Sequence, residues 1–276
     1  MRVLNIILII FLFCVLTVLT QIGGVVYLVS FGTHKPIIKR IQNKYFQKIA
    51  KFIVFLSIYG LTTFVIVPIV ARPFGRVPLP ISETNNFKPL NILTCILNRN
   101  YVRPELRQTA FEVAKQMNKK YPGTTLKYLD ASFPFINKFP LFPHLSHNDG
   151  KKLDLAFFYI DNRTQKETNA APSFIGYGVS EEPRPGEVNT ADFCSKEGYW
   201  QYSFLKKIVP QGNKINFTFD STRTKELVNL FASKPVINKI FIEPHLKSRL
   251  QLTTPKIRFH GCQAVRHDDH VHVQMK

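Results

Sequence analysis

The feature that most constrains this chain is a pair of charge-free apolar runs near its start. Residues 3–33 carry no charged side chain, and neither do residues 52–71. Crossing a hydrocarbon core of about 30 Å takes a helix of roughly 20 apolar residues, so each run is long enough to span one. A cleaved signal peptide fits the first run poorly, because the run exceeds an h-region, lacks a small-residue cleavage site and precedes a second apolar run. Gly23-Gly24 interrupts it without adding polarity. The expected anchor is therefore residues 1–72, with transmembrane helices over about 3–32 and 52–71.

Between the runs, residues 34–51 hold Lys35, Lys39, Arg40, Lys44, Lys48 and Lys51 and no acidic residue. Short basic loops stay on the cytoplasmic side. Both chain ends are then expected outside, and everything after residue 72 belongs to an extracytoplasmic domain. The net charge of +19 raises nucleic acid as a partner. Six of those charges sit in the orienting loop, however, and the rest are scattered, with no Arg-rich helix and no aromatic–basic interleaving. The expected partners are the lipid bilayer and, for the basic outer domain, an anionic polymer rather than nucleic acid.

Pro73, Pro78, Pro80 and Asn85-Asn86 make residues 73–89 read as a linker that holds the domain off the bilayer. The domain then covers 90–276. Pro104 to Lys120 has proline at its start, Leu106, Ala110, Val113, Ala114 and Met117 at helical spacing, and Tyr121-Pro122-Gly123 to end it. Strands are expected over 124–129, 155–160, 236–242 and 264–274, and further helices over 222–233 and 244–250. Without a βαβ rhythm, this order predicts an α+β domain, a small antiparallel sheet flanked by helices. Residues 161–200 are polar and aperiodic, the pattern of a functional loop on the substrate side. Tyr199, Trp200 and Tyr202 there read as core or as cleft wall. Cys14 falls in the first span. Cys95, Cys194 and Cys262 remain outside, and one disulfide is expected, Cys95–Cys262, joining the two ends of the domain.

Five of the eight histidines sit in two short stretches, His144–Asp154 and Val265–Lys276. In the second, histidines and aspartates alternate with valines, and period-two alternation is a strand pattern. His270 and His272 then point to one face and reach a common centre. A catalytic zinc takes three nitrogen or oxygen ligands and keeps one position open, and His147, Asp154 and His272 supply such a set.

Ser146-His147-x-x-Gly150-x-x-x-Asp154, followed far downstream by His270-x-His272, resembles the metallopeptidases grouped with lysostaphin, D-Ala-D-Ala peptidases and hedgehog domains. More narrowly, His144-x-Ser146-His147, the run Ile240–Lys247 and His267-Asp268-x-His270-x-His272 resemble penicillin-insensitive murein endopeptidases, over roughly residues 90–276. That resemblance implies a zinc metalloendopeptidase that hydrolyses peptide cross-links in bacterial peptidoglycan, on the outer side of the cytoplasmic (inner) membrane. It implies one Zn²⁺ held by His147, Asp154 and His272, with His270 and His267 as catalytic partners. His144 is either a resting-state ligand or a neighbour of the ligands. Asp269 is either the general base found in the D-Ala-D-Ala peptidases or a solvated strand charge, and alternation turns it away from His270. The alternatives are a D-Ala-D-Ala carboxypeptidase or dipeptidase, and a catalytically silent wall-binding module of the same fold.

Overall fold

The computed structural model describes residues 2–276; the side chains of Arg2 and of residues 35–38, Lys35 of the basic loop among them, lie outside that description. Its centre is the strand His270–Met275. Val271 and Val273 are fully buried on one face, each contributing about 1.5–3 kcal/mol of apolar burial. His270, His272 and Gln274 face the other way. Across the six-stranded sheet the order is Phe87–Pro89, Leu126–Tyr128, Lys152–Ala156, His270–Met275, Ile237–Phe241 and Ile257–Arg258. The central pairings are antiparallel, as expected, but both edge pairs are parallel, so the sheet is mixed.

Two helices cover the valine face. Pro104–Lys120 has the predicted limits, with Pro104 opening the first turn and Lys119 and Lys120 in the last, where cations suit the helix dipole. Leu106, Ala110, Val113, Ala114 and Met117 are buried against the sheet together with Leu227, Val228 and Phe231 of Ser221–Ser233. The α+β reading holds. The expected strand 155–160 is two strands, Lys152–Ala156 and Tyr159–Asp161, and the second belongs to a separate three-stranded sheet with Lys166–Thr168 and Phe217–Phe219.

Two helices, Val3–Thr20 and Lys44–Val70, are long and apolar enough to cross a membrane. The first apolar run is not one helix. It breaks at Gln21-Ile22 into Arg2–Thr20 and Gly23–Ile38. In a continuous helix residues 13 and 24 would be about 16 Å apart. Here Gly24 lies against Phe13 and Thr17, and Gly23 against Leu16 and Thr20, with no room for a Cβ at either glycine. Gly23-Gly24 thus lets the second helix fold back on the first. Gly23–Ile38 also packs antiparallel to Lys44–Leu61, with Tyr27 against Phe55. The first helix therefore starts at the same end of the bundle as the basic loop, which corrects the expectation that both chain ends lie on the domain's side.

The stretch 73–89 is not a linker. Val77–Pro78 pairs with Tyr101–Val102, Phe87–Pro89 forms a sheet edge, and Leu79 and Phe87 are buried. Of the prolines that suggested a tether, Pro78 sits on the short strand Val77–Pro78, where a missing N–H is tolerated, and Pro73 in the 3₁₀ turn Arg72–Phe74. Gln21 and Tyr59 bind the helices directly to the domain: Gln21 Oε1 accepts from Phe135 N (2.8 Å), and Tyr59 Oη donates to Ile96 O (2.6 Å). The disulfide also differs from expectation. Cys194 is joined to Cys262, whereas Cys95 is a buried free thiol 3.2 Å from Tyr128 Oη, on the far side of the sheet from Cys262's loop.

Candidate metal centre

Strand register brings the first two candidate ligands together. His272 stands directly opposite Asp154 on neighbouring antiparallel strands, and such pairs share a face at about 5 Å. His147 arrives from the loop before Lys152–Ala156, where Gly150 adopts a positive φ of 78° that a Cβ would strain. His272 Nδ1 lies 2.8 Å from Asp154 Oδ1 and 3.1 Å from His147 Nε2, and His147 Nε2 lies 3.2 Å from Asp154 Oδ1. A tetrahedral zinc site with bonds of about 2.0–2.1 Å has ligand–ligand edges of about 3.3 Å, so the three atoms are within a few tenths of an ångström of that triangle.

The surroundings fit a metal as well. His147 Nδ1 donates to Ala131 O (2.8 Å), which fixes the tautomer and leaves the Nε2 lone pair free. Burial alone would raise the Asp154 carboxyl, but His147, His270 and His272 hold it well below the usual range. Burial drives the His272 imidazole down to about 3, and the neutral ring is the ligating form. The Nε2 atoms of His144, His270 and His272 are buried and have no hydrogen-bond partner among the described residues. Buried polar atoms are rarely left so, and a cluster of them points to a bound group.

His144, Asp154 and His270 form a looser group, as do His267, His270 and His272. His144 Nδ1 is 3.2 Å from Asp130 Oδ2 and 3.5 Å from Asp154 Oδ2, so it bridges two carboxylates beside the tight triangle. His270 Nε2 is 3.7 Å from Asp154 Oδ2. Burial opposes a charge on His270, yet Asp154 and Asp269 push its pKa up to about 9. His267 lines the open cleft. Burial and the neighbouring His270 and His272 hold it well below its usual pKa.

Asp269 is neither a free base nor a solvated charge. Regular strand begins only at His270, so the alternation argument does not reach it. It is buried, one oxygen bonded to His270 Nδ1 and the other accepting from Gly178 N. The preceding residues are clamped. Glu243 accepts from Tyr202 Oη (2.6 Å) and His267 N (3.1 Å), and Arg266 pairs with Asp268, whose carboxyl burial raises to about 7.

The polar stretch 161–200 brings in a residue that sequence reasoning missed. Tyr177 Oη donates to Asp154 Oδ2 (2.8 Å) and accepts from Asp130 N (3.2 Å), while its ring packs on His144 and His270. Gly176 and Gly178 flank it at φ +83°, where a Cβ would strike Leu129 and Val209. An aromatic between two glycines was the available signal. His260, stacked on Phe241 beside His272, gave none. Of the three candidate cleft aromatics, Trp200 lines the cleft, Tyr202 is buried on Glu243, and Tyr199 edges a shallower pocket.

A cleft of about 520 Å³ opens onto His147, His267 and His272. Its walls include Phe142, Leu145, Trp200 and Phe204, and histidines are the only titratable side chains among the described residues lining it. The chain matches no model of a known protein family, and no curated protein matches it.

Proposed function

We propose that this protein is a membrane-anchored zinc peptidase that hydrolyses amide bonds in the peptide cross-links of bacterial peptidoglycan. The observation that carries the hydrolase reading is the triangle of His147 Nε2, Asp154 Oδ1 and His272 Nδ1, with edges of 2.8–3.2 Å, at the floor of an open cleft. Zinc there would supply a polarised carbonyl and a water with its pKa lowered to about 7. The Ser146–Asp154 and His267–His272 motifs support the choice of murein over other amides.

The chain's own residues then divide the remaining work. His270 Nε2 lies on the ligand face with no hydrogen-bond partner among the described residues; with a zinc charge offsetting the carboxylates that raise its pKa, the neutral ring would accept the proton from the attacking water and return it to the leaving amine. Asp269 holds the opposite ring nitrogen and so fixes the tautomer that leaves Nε2 free. His267 on the cleft wall faces the place where charge develops on the carbonyl oxygen. Tyr177 occupies Asp154 Oδ2 and leaves Oδ1 to the metal.

Several observations support an outward-facing domain. The Cys194–Cys262 disulfide suits an oxidising compartment. The basic loop and the start of the first helix share one end of the bundle, opposite the domain, as the positive-inside rule prefers. Purified protein should contain one zinc and release defined fragments from muropeptides, read by mass analysis. Ala at His147, Asp154 or His272 should abolish zinc retention. Stoichiometric zinc in the His272→Ala protein would refute the ligand set, and intact muropeptides with zinc bound would refute the substrate.

A further inference from the structure

Of two segments that the helices hold, the first supplies one wall of the cleft and the second is tied to that wall. One is the loop 131–147. Its Phe135 N–H is accepted by Gln21 Oε1, its Phe135 ring packs on Phe74 at 5.2 Å, and it ends in the lip Phe142–His147. The other is Ile92–Asn98. Ile96 O accepts from Tyr59 Oη, and Asn98 Nδ2 donates to Tyr59 Oη (3.3 Å) and Thr63 Oγ1 (3.4 Å). The next residue, Arg99, donates to Phe142 O (2.9 Å) and so ties the lip to the helix contact.

Those contacts are not at the helix end. Tyr59 and Thr63 precede Val70 by eleven and seven residues, about 16 and 10 Å along a helix rising 1.5 Å per residue. The free side of the same stretch is apolar up to its end: Leu61, Phe64, Val65, Ile66, Ile69 and Val70 are 41–64% exposed. A bilayer that covers that side to Val70 also reaches the domain segments bonded at Tyr59 and Thr63. Those segments carry Ile92, Leu93, Ile136, Phe142 and Leu145, all large, apolar and 42–61% exposed. Exposed apolar residues on segments bonded to a membrane helix suit burial at the headgroup–acyl boundary, about 5–10 Å deep.

We infer that this lip sits in the outer-leaflet interface of the bilayer that the helices cross, so the cleft is loaded from the membrane surface and its amide substrates are carried on a lipid. The inference rests on the membrane-anchored hydrolase reading and narrows it from polymer in general to lipid-linked peptide. The cleft lining agrees, since apolar walls without Asp, Glu, Lys or Arg disfavour charged groups brought in from water.

The test uses the full chain in phosphatidylcholine–phosphatidylglycerol vesicles with acyl chains brominated near the headgroup. Trp200 is the sole tryptophan, so Trp200→Phe with Phe142→Trp places a single reporter on the lip. Leu145→Trp in the same background serves if the first variant does not fold. The bromolipid should quench the reporter strongly and aqueous iodide only weakly. Quenching by iodide with none by bromolipid overturns the seating. Zinc-loaded unaltered protein should cut a peptide amide joined directly to a lipid at least as fast as one on a long polyethylene glycol spacer. A requirement for the spacer overturns the substrate assignment. Cleavage of neither peptide overturns the hydrolase reading, and the reporter still decides the position of the lip.

Discussion

Replacing Tyr177 with phenylalanine removes one oxygen beside the candidate metal centre and keeps the ring contacts with His144 and His270. That oxygen makes the one hydrogen bond to Asp154 Oδ2 among the described residues, at 2.8 Å, and satisfies Asp130 N at 3.2 Å. A hydrogen bond to a charged group contributes about 1.5–3 kcal/mol. Loss of a partner to a metal ligand typically weakens metal binding about 10–100-fold, or roughly 1.4–2.8 kcal/mol, so two independent routes give the same magnitude. Zinc affinity measured by competition with a chromophoric chelator should therefore fall about 10–100-fold. Thermal unfolding of the metal-free variant separates this from general damage, because the thermal shift on adding zinc should shrink in step with the affinity. An unchanged zinc affinity in a protein that merely unfolds earlier would show that Tyr177 packs the centre without tuning Asp154.

His270→Ala should retain zinc and lose about 10²–10⁴ in kcat, the usual worth of a positioned base. Asp269→Asn should lose a substantial part of the same activity, because Asp269 holds His270 Nδ1; wild-type activity in zinc-loaded Asp269→Asn would refute that role. Cys194→Ser or Cys262→Ser should lower stability by about 4 kcal/mol on the loop-closure account for a separation of 68 residues, read from denaturant midpoints, and reduction of the unaltered protein should match it. Arg249 pairs with Glu187 at 3.0 Å and pushes its carboxyl down to about 2. A carboxyl depressed in the folded state stabilises fully above its ordinary pKa, and that stabilisation is lost as pH falls towards the folded value. The difference in Tm between the unaltered protein and Arg249→Gln should therefore be largest near pH 6 and shrink by pH 3. A difference that grows on acidification would contradict the pairing.

Local pattern carried the helix Pro104–Lys120 and the shared face of His270 and His272 into view, because each depends only on residues a few positions apart. The meeting of His147, Asp154 and His272 was legible through motif likeness, and the strand register supplies its physical reason. What was not legible depended on distant partners. Asp269 was misplaced because alternation was extended through 264–269, a segment shaped by Glu243, Arg266 and Gly178 rather than by strand pairing. Pro78 and Pro80 suggested a tether because nothing local marks Leu79 and Phe87 as buried. Hydropathy joined two helices at Gln21, although Gly23-Gly24 stood where close helix approach demanded it. Cys194 and Cys95 are indistinguishable by spacing, and only the path of the 161–200 stretch decides which of them meets Cys262.

The cross-strand pair His272 and Asp154 is separated by 118 residues of chain, and His272 and His147 by 125. A zinc ion bound there would be a clasp across a long loop closure, binding the native state and finding no comparable triad in the open chain. Occupancy at a thousandfold excess over Kd would add about 4 kcal/mol, comparable with much of a domain's net stability. Metal supply would then set how long the domain survives proteolysis as well as how fast it works, and a chelator would shorten its lifetime before any substrate is offered.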